Sequence, residues 1–151
     1  MTEETLTNPL MEALELILTE FEYRVPVWGI TIFTVDGYIL AHRLFYAPKQ
    51  DAIEHTISPM SASLITIAED LIRFVGDQHD FRQLIIDADD TMQTHKFSIL
   101  LKHLDENVLL ACIFPVSVQL GLLLFEIDNL TTQLGLLLKD WQGLIHKDTV
   151  T

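Results

Sequence analysis

Residues 27–45 read VWGITIFTVDGYILAHRLF, and this stretch decides the fold of the chain. Two runs rich in β-branched and aromatic residues are joined by Asp36-Gly37. Asp-Gly between two strand-like runs predicts a hairpin closed by a type I′ turn, whose two central residues both need positive φ. The first run is apolar on both faces, which predicts a strand covered by helices on both sides. The second run carries His42 and Arg43, which suits an edge strand.

Helical patterns precede and follow the hairpin. Asn8-Pro9 places a favoured N-cap residue before proline at the first helical position, which predicts the start of a first helix. Residues 1–7 are then expected to form a flexible tail. After a predicted loop at residues 46–57, Ser58-Pro59 repeats the same signal and opens a second helix, which Gly76 ends.

The rest of the chain predicts three strands and a third helix. The strands occupy residues 81–87, 95–102 and 107–114, and their short connections favour antiparallel pairing. Apolar residues three or four apart then predict a helix from about residue 119 to residue 146. The order α-β-β-α-β-β-β-α predicts a mixed α/β (α+β) fold, a three-layer sandwich with a five-stranded antiparallel sheet between helices on both faces. Residues 8–147 are expected to form this single domain.

Composition limits the class of protein. The 151-residue chain is 49% apolar and carries a formal charge of −13, which argues against binding to nucleic acid or to an anionic membrane surface. The only cysteine, Cys112, lies in an apolar run and is expected to be buried. Polar residues interrupt the apolar stretch 108–127, so no membrane span is expected there. The acidic N-terminus lacks the features of a signal peptide, which predicts a cytoplasmic protein.

The second predicted helix is apolar over roughly half of its circumference. A helix that only sits on one sheet needs a narrower arc. The sequence therefore predicts a second contact for this helix, either with another helix of the chain or with a partner subunit. The main stripe has apolar residues three or four apart and comprises Met60, Leu64, Ile67, Leu71, Phe74 and Val75, while Ile65, Ala68 and Ile72 widen it.

Four segments, in this order, resemble the Roadblock/dynein light chain family, which includes small-GTPase regulators such as the bacterial gliding-motility polarity regulators. They are VWGITIFTVDGYILAH at 27–42, SPMSASLITIAEDLIRFVG at 58–76, FRQLIIDA at 81–88 and VLLACIFPVSVQLGLLLFEI at 108–127. The family's first-strand glycine, its small-residue helix opening and the start of its last helix correspond to Gly29, Ser61-Ala62-Ser63 and Leu120-Gly121-Leu122. With the first helix, the resemblance covers residues 8–146.

The resemblance implies a homodimer. In such a dimer the second helix of each subunit packs against its mate, and the third strands pair to make one continuous sheet. Leu84 and Ile86 would otherwise lie on an unprotected sheet edge, which natural proteins avoid. The residues expected at the dimer interface are Met60, Leu64, Ile67, Leu71, Phe74, Leu84 and Ile86.

The resemblance further implies a non-catalytic adaptor that binds and regulates a Ras-like small GTPase. Two alternatives are a structural scaffold or motor-complex light chain that binds its partner regardless of nucleotide, and a small-ligand-sensing domain. The expected partner-binding residues are Ser63, Glu69, Asp70 and Arg73, all on the second helix. Glu69 and Asp70 also fit a simpler role as the solvated face of that helix.

The sequence predicts no catalytic residue, no cofactor and no metal site. It contains six glycines but no phosphate-binding loop, and no Gly-x-Ser-x-Gly nucleophile elbow. Residues 87–98 begin like a calcium loop, but Met92 and Ser98 stand where that loop needs glycine and glutamate. Six histidines are scattered along the chain without metal-ligand spacing.

Overall fold

The computed structural model describes residues 3–44, 50–89 and 96–149, and the side chains of residues 9–43, 56–89 and 96–139. Its three helices and five strands follow one another in the predicted order, which confirms the fold class. The elements are α1 (Glu3–Arg24), β1 (Gly29–Thr34), β2 (Ile39–Leu44), α2 (Gln50–Val75), β3 (Gln83–Ala88), β4 (Phe97–His103), β5 (Val108–Pro115) and α3 (Leu120–Thr149).

The five strands form one antiparallel sheet in the order β2-β1-β5-β4-β3. β1 lies between β2 and β5, and all but the last of its residues are buried. This confirms the prediction that the first strand of the hairpin is covered on both faces. β2 and β3 are the two edges of the sheet, so the prediction that the second hairpin strand is an edge strand is also confirmed.

The two faces of the sheet carry separate apolar cores. On one face α1 and α3 pack together over the sheet, and Leu14 of α1 and Ile127 of α3 are fully buried in this cluster. On the other face α2 packs through Ala62 and Ile65 against sheet residues that include Phe33. The sheet is therefore the middle layer of the predicted three-layer sandwich.

The hairpin is confirmed, but the predicted type I′ turn is wrong. The Gly37 N–H donates a hydrogen bond of 2.9 Å to the Thr34 carbonyl, so Val35 and Asp36 are the central residues of the turn. The Thr34 N–H then donates to the Tyr38 carbonyl at 2.8 Å. Gly37 follows the turn with φ of 93°, a left-handed conformation that glycine adopts without strain. Such a three-residue loop also matches the twist of antiparallel strands, and it needs glycine at its last position.

Both helices with a predicted Asn-Pro or Ser-Pro start begin earlier than expected. α1 begins at Glu3, so residues 3–7 of the predicted tail are helical, and α2 begins at Gln50 inside the predicted loop. Pro9 and Pro59 therefore lie within their helices. Each proline removes one backbone hydrogen bond, and both Pro9 and Pro59 are exposed. The remaining parts of the predicted loop and of the calcium-like stretch, residues 46–49 and 90–95, lie outside the described residues.

Candidate interaction surface

The outward face of α2 carries the apolar stripe that the sequence predicted. Met60, Leu64, Ile67, Leu71 and Phe74 are all exposed, with exposed fractions from 37% at Leu64 to 88% at Phe74. Ala62 and Ile65 point to the opposite side, into the core between α2 and the sheet. α2 is therefore apolar on two faces, and among the residues that the structure describes only one of these faces is covered.

β3 lies at an open edge of the sheet, and its side chains reach the core beneath this helix. Its register runs from Gln83 to Ala88 against β4, and within the described part of the chain no strand pairs with its other side. Leu84 and Ile86 are partly buried and pack against the same core as α2. The predicted interface residues of the helix and of the strand thus belong to one face of the molecule.

A shallow depression lies on this face near the hairpin. Pro59, Met60, Ser63, Leu64 and Ile67 line an open volume of about 320 Å³. The Ser63 hydroxyl donates a hydrogen bond of 3.0 Å to the Pro59 carbonyl, four residues earlier in the helix. Ser63 is exposed, but its hydroxyl proton already makes a hydrogen bond within α2. The depression is therefore mainly apolar.

The polar flank of α2 is partly tied to the sheet. The Glu69 carboxylate lies 2.8 Å from Nε2 of His103, at the end of β4, and 3.2 Å from Nη2 of Arg73. Nδ1 of the same imidazole lies 3.0 Å from the backbone carbonyl of Asp105. Arg73 also lies 3.6 Å from Asp70, which is largely exposed. Of the predicted partner-binding residues, Asp70 and Arg73 face solvent, while Glu69 holds the helix to the sheet.

An open acidic depression surrounds this contact. It has a volume of about 350 Å³ and is lined by Glu69, Asp80, Phe81, His103, Asp105 and Glu106. The ring of Phe81 meets the His103 imidazole edge-on, with centroids 6.0 Å apart. The sequence did not predict this cluster, because Glu69 and His103 are 34 positions apart and neither belongs to a recognisable motif.

Few side chains in the described part of the molecule are candidates for catalysis or metal binding. Within residues 3–44, 50–89 and 96–149, no group of three histidine, cysteine, aspartate or glutamate side chains could hold a metal ion. Cys112 is buried in β5, and this burial raises the pKa of its thiol far above the ordinary value. A thiol held neutral in this way is a poor nucleophile.

None of the described helices is both long and apolar enough to cross a membrane. This includes the part of α3 that overlaps the apolar stretch 108–127.

Comparison with known proteins gives matches in structure only. No protein-family model matches the chain, and no curated protein matches it by sequence. An MglB described as having a tetrameric arrangement is 17% identical, with a TM-score of 0.74 over 87% of this chain and 92% of that chain. The gliding protein MglB of Thermus thermophilus is also 17% identical, with a TM-score of 0.73 over the same shares of the two chains.

A third solved structure carries the family name. The Roadblock/LC7 domain from Streptomyces avermitilis is 17% identical, with a TM-score of 0.66 over 78% of this chain and 91% of that domain. At these identities the likeness concerns the path of the backbone, and it extends over most of the chain. The protein therefore has the fold of a Roadblock/LC7 domain.

Proposed function

We propose that this protein is a non-catalytic homodimeric adaptor, located in the cytoplasm, that binds and regulates a Ras-like small GTPase. The observation that carries the proposal is the exposed apolar stripe on α2 beside the open edge of β3. A surface of this kind on a single chain is typical of a protein–protein contact. The Roadblock/LC7 fold and the sequence resemblance to regulators of small GTPases support the identity of the partner.

The area of the stripe contributes to self-association. Full burial of one large apolar side chain contributes about 1.5–3 kcal/mol, and the five stripe residues expected at the interface already hide part of their surface. Covering them in both copies contributes on the order of 10–20 kcal/mol. The loss of translational and rotational freedom on association opposes this with roughly 4–15 kcal/mol. These two ranges overlap, so burial of the stripe supports a dimer only together with a second contact.

The edge of β3 supplies the second part of the interface. Antiparallel pairing of β3 with its mate would satisfy the free backbone groups of both edges and join two five-stranded sheets into one. Leu84 and Ile86 would then become covered from the side of the partner. The tetrameric arrangement of one MglB of similar fold is consistent with self-association of such domains.

We place the GTPase on the polar flank of α2, where Asp70 and Arg73 are exposed. Asp80, Asp105 and Glu106 add negative charge nearby, which suits a basic surface on the partner. The adaptor acts by binding one conformation of the GTPase switch regions more tightly than the other, and so it shifts the population of the two nucleotide states. No catalytic side chain of the adaptor is required.

The test is a measurement of affinity for Ras-like GTPases from the same genome, each loaded with GDP or with a non-hydrolysable GTP analogue. We expect binding to differ at least about 5-fold between the two nucleotide forms, the size of a typical allosteric coupling. We expect Asp70→Arg to weaken binding about 10-fold. Glu15→Arg, an exposed charge reversal on α1, serves as the control and should leave affinity unchanged.

Two results would contradict the proposal. Equal affinity for both nucleotide forms would identify a scaffold or light chain that binds regardless of nucleotide. If the protein bound none of the GTPases tested, the proposal that its partner is a GTPase would be wrong, and the partner would belong to another class of protein.

A further inference from the structure

A second apolar surface lies on the opposite side of the sheet from α2. Leu16 and Tyr23 of α1 and Phe125 and Leu136 of α3 are exposed by 62–87%. They share no side with the proposed dimer interface, because α1 and α3 cover the other face of the sheet. The proposed self-association through α2 and β3 therefore leaves this surface uncovered.

The packing of the two helices defines the shape of this surface. Arg24, in the last turn of α1, lies 3.7 Å from Glu126, in the second turn of α3, so the two helices run side by side in opposite directions. Leu14 and Leu18 of α1 point to the sheet, as does Ile127 of α3. At 3.6 residues per turn, Leu16 and Tyr23 lie opposite the sheet-facing side of α1, and Phe125 and Leu136 lie opposite the sheet-facing side of α3. All four side chains therefore project away from the sheet.

The charge along α1 indicates what fits there. Glu12, Leu16 and Glu20 follow one another at intervals of four residues, so they form one ridge with an apolar side chain between two carboxylates. Both glutamates are exposed, and among the described residues neither takes part in an ion pair. A binding partner with lysine or arginine on either side of an apolar residue would match this ridge.

From this arrangement we infer that the α1/α3 face is a second docking surface, which binds a basic amphipathic helix of another protein. The apolar side of that helix packs on Leu16, Tyr23, Phe125 and Leu136, and its basic residues lie near Glu12 and Glu20. A second copy of this chain is a poor occupant, because its own α1 ridge would bring the same negative charge against Glu12 and Glu20. An anionic membrane is disfavoured by the same charge.

The test uses a fluorescein-labelled 18-residue peptide of leucine and lysine in a helical amphipathic pattern, and its leucine–glutamate counterpart. The lysine peptide should bind the full chain and gain helicity on binding, whereas the glutamate peptide should not bind. The double variant Leu16→Ser/Phe125→Ser should weaken binding about 10-fold or more, since central apolar contacts dominate such interfaces. The matched control Ile67→Ser/Leu71→Ser, on α2, should change it less than about 2-fold.

Circular dichroism checks that each variant is folded, which is expected because all the altered side chains are exposed. Glu12→Gln/Glu20→Gln should reduce the salt dependence of binding. Equal loss in the α1/α3 and α2 variants, or no loss in the α1/α3 variant, would overturn the inference. It would also be overturned if sedimentation showed that Leu16→Ser/Phe125→Ser alone lowers the mass of the assembly, because a second copy would then cover this face.

Discussion

At the scale of single residues, the contact between Glu69 and His103 fixes the outer layer of the molecule to the sheet. Their oxygen and nitrogen are 2.8 Å apart, and the two side chains are only 28% and 25% exposed. The backbone carbonyl of Asp105 holds the other side of the imidazole. Few apolar residues of α2 contact the sheet. The half-buried contact between Glu69 and His103 therefore contributes measurably to holding α2 in place.

We expect Glu69→Gln to lower the free energy of unfolding by roughly 0.5–1.5 kcal/mol, because a partly buried charged hydrogen bond is replaced by a neutral one. Urea denaturation followed by circular dichroism measures the change. Asp70→Asn is the matched control, since Asp70 is the next residue on the helix and is largely exposed, and it should stay within about 0.5 kcal/mol of the parent. Equal effects of the two substitutions would show that the contact with His103 contributes nothing.

At the scale of elements, α2 is a helix with two apolar faces that play different parts. Its inner face completes one core through Ala62 and Ile65, and its outer face presents the apolar stripe. The periodicity of the sequence predicted one wide apolar arc that needs a second contact, because residues three and four apart must share a side of any helix. It did not predict that Ala62 and Ile65 form the inner face. Periodicity could not predict that the helix extends back to Gln50, since Pro59 imitates a helix start and is tolerated here on an exposed side.

We expect Leu71→Glu to convert the proposed dimer into a monomer, with at least about a 100-fold weaker association constant, because a carboxylate would be desolvated against apolar side chains of the partner. Sedimentation equilibrium at micromolar concentration measures this change. Leu16→Glu is the matched control, because Leu16 is 62% exposed and Leu71 is 64% exposed, on opposite faces of the molecule. A parent protein that sediments as a monomer, or equal effects of the two variants, would contradict the assignment of the interface to α2.

At the scale of the whole molecule, β5 occupies the centre of the sheet and Cys112 lies within it, fully buried. β1 and β4 pair with β5 on either side, and α1 and α3 cover Cys112 on one face. The thiol can therefore reach solvent only when the core opens. Its reactivity reports on the unfolding of the whole domain rather than on a local movement.

We expect the thiol to react with an aromatic disulfide reagent at least about 100-fold more slowly in the native protein than in urea. Raising the pH from 7 to 9 should accelerate labelling in urea, where the thiol has its ordinary pKa, because the thiolate is the reactive form. The native thiol should stay unreactive, since its pKa is raised above that range. Cys112→Ser/Ser117→Cys, which moves the thiol to an exposed position, is the control and should label rapidly. Equally rapid labelling of the native parent protein would show that β5 is not buried.

Much of the architecture was predictable because it depends on neighbours in the sequence. The alternation and the turn residues around Asp36-Gly37 predicted a hairpin, and the burial of β1 on both faces followed from its apolar residues. The type of turn was not predictable, because Asp-Gly fits both a two-residue loop and the last two positions of a three-residue loop. The register of the strands and the hydrogen bonds of the turn show that the loop has three residues.

Some features of the candidate site were likewise predictable from the sequence, and others depended on the tertiary structure. The sequence by itself determined the order of the elements, the wide apolar arc of α2 and the acidic character of the chain, because local spacing and composition are sufficient for these. Only the tertiary structure decided that Glu69 meets His103, that β3 is left as an open edge, and that Leu16 and Phe125 face away from the sheet. These features depend on residues far apart in the chain, which are brought together only when the helices and the sheet pack against one another.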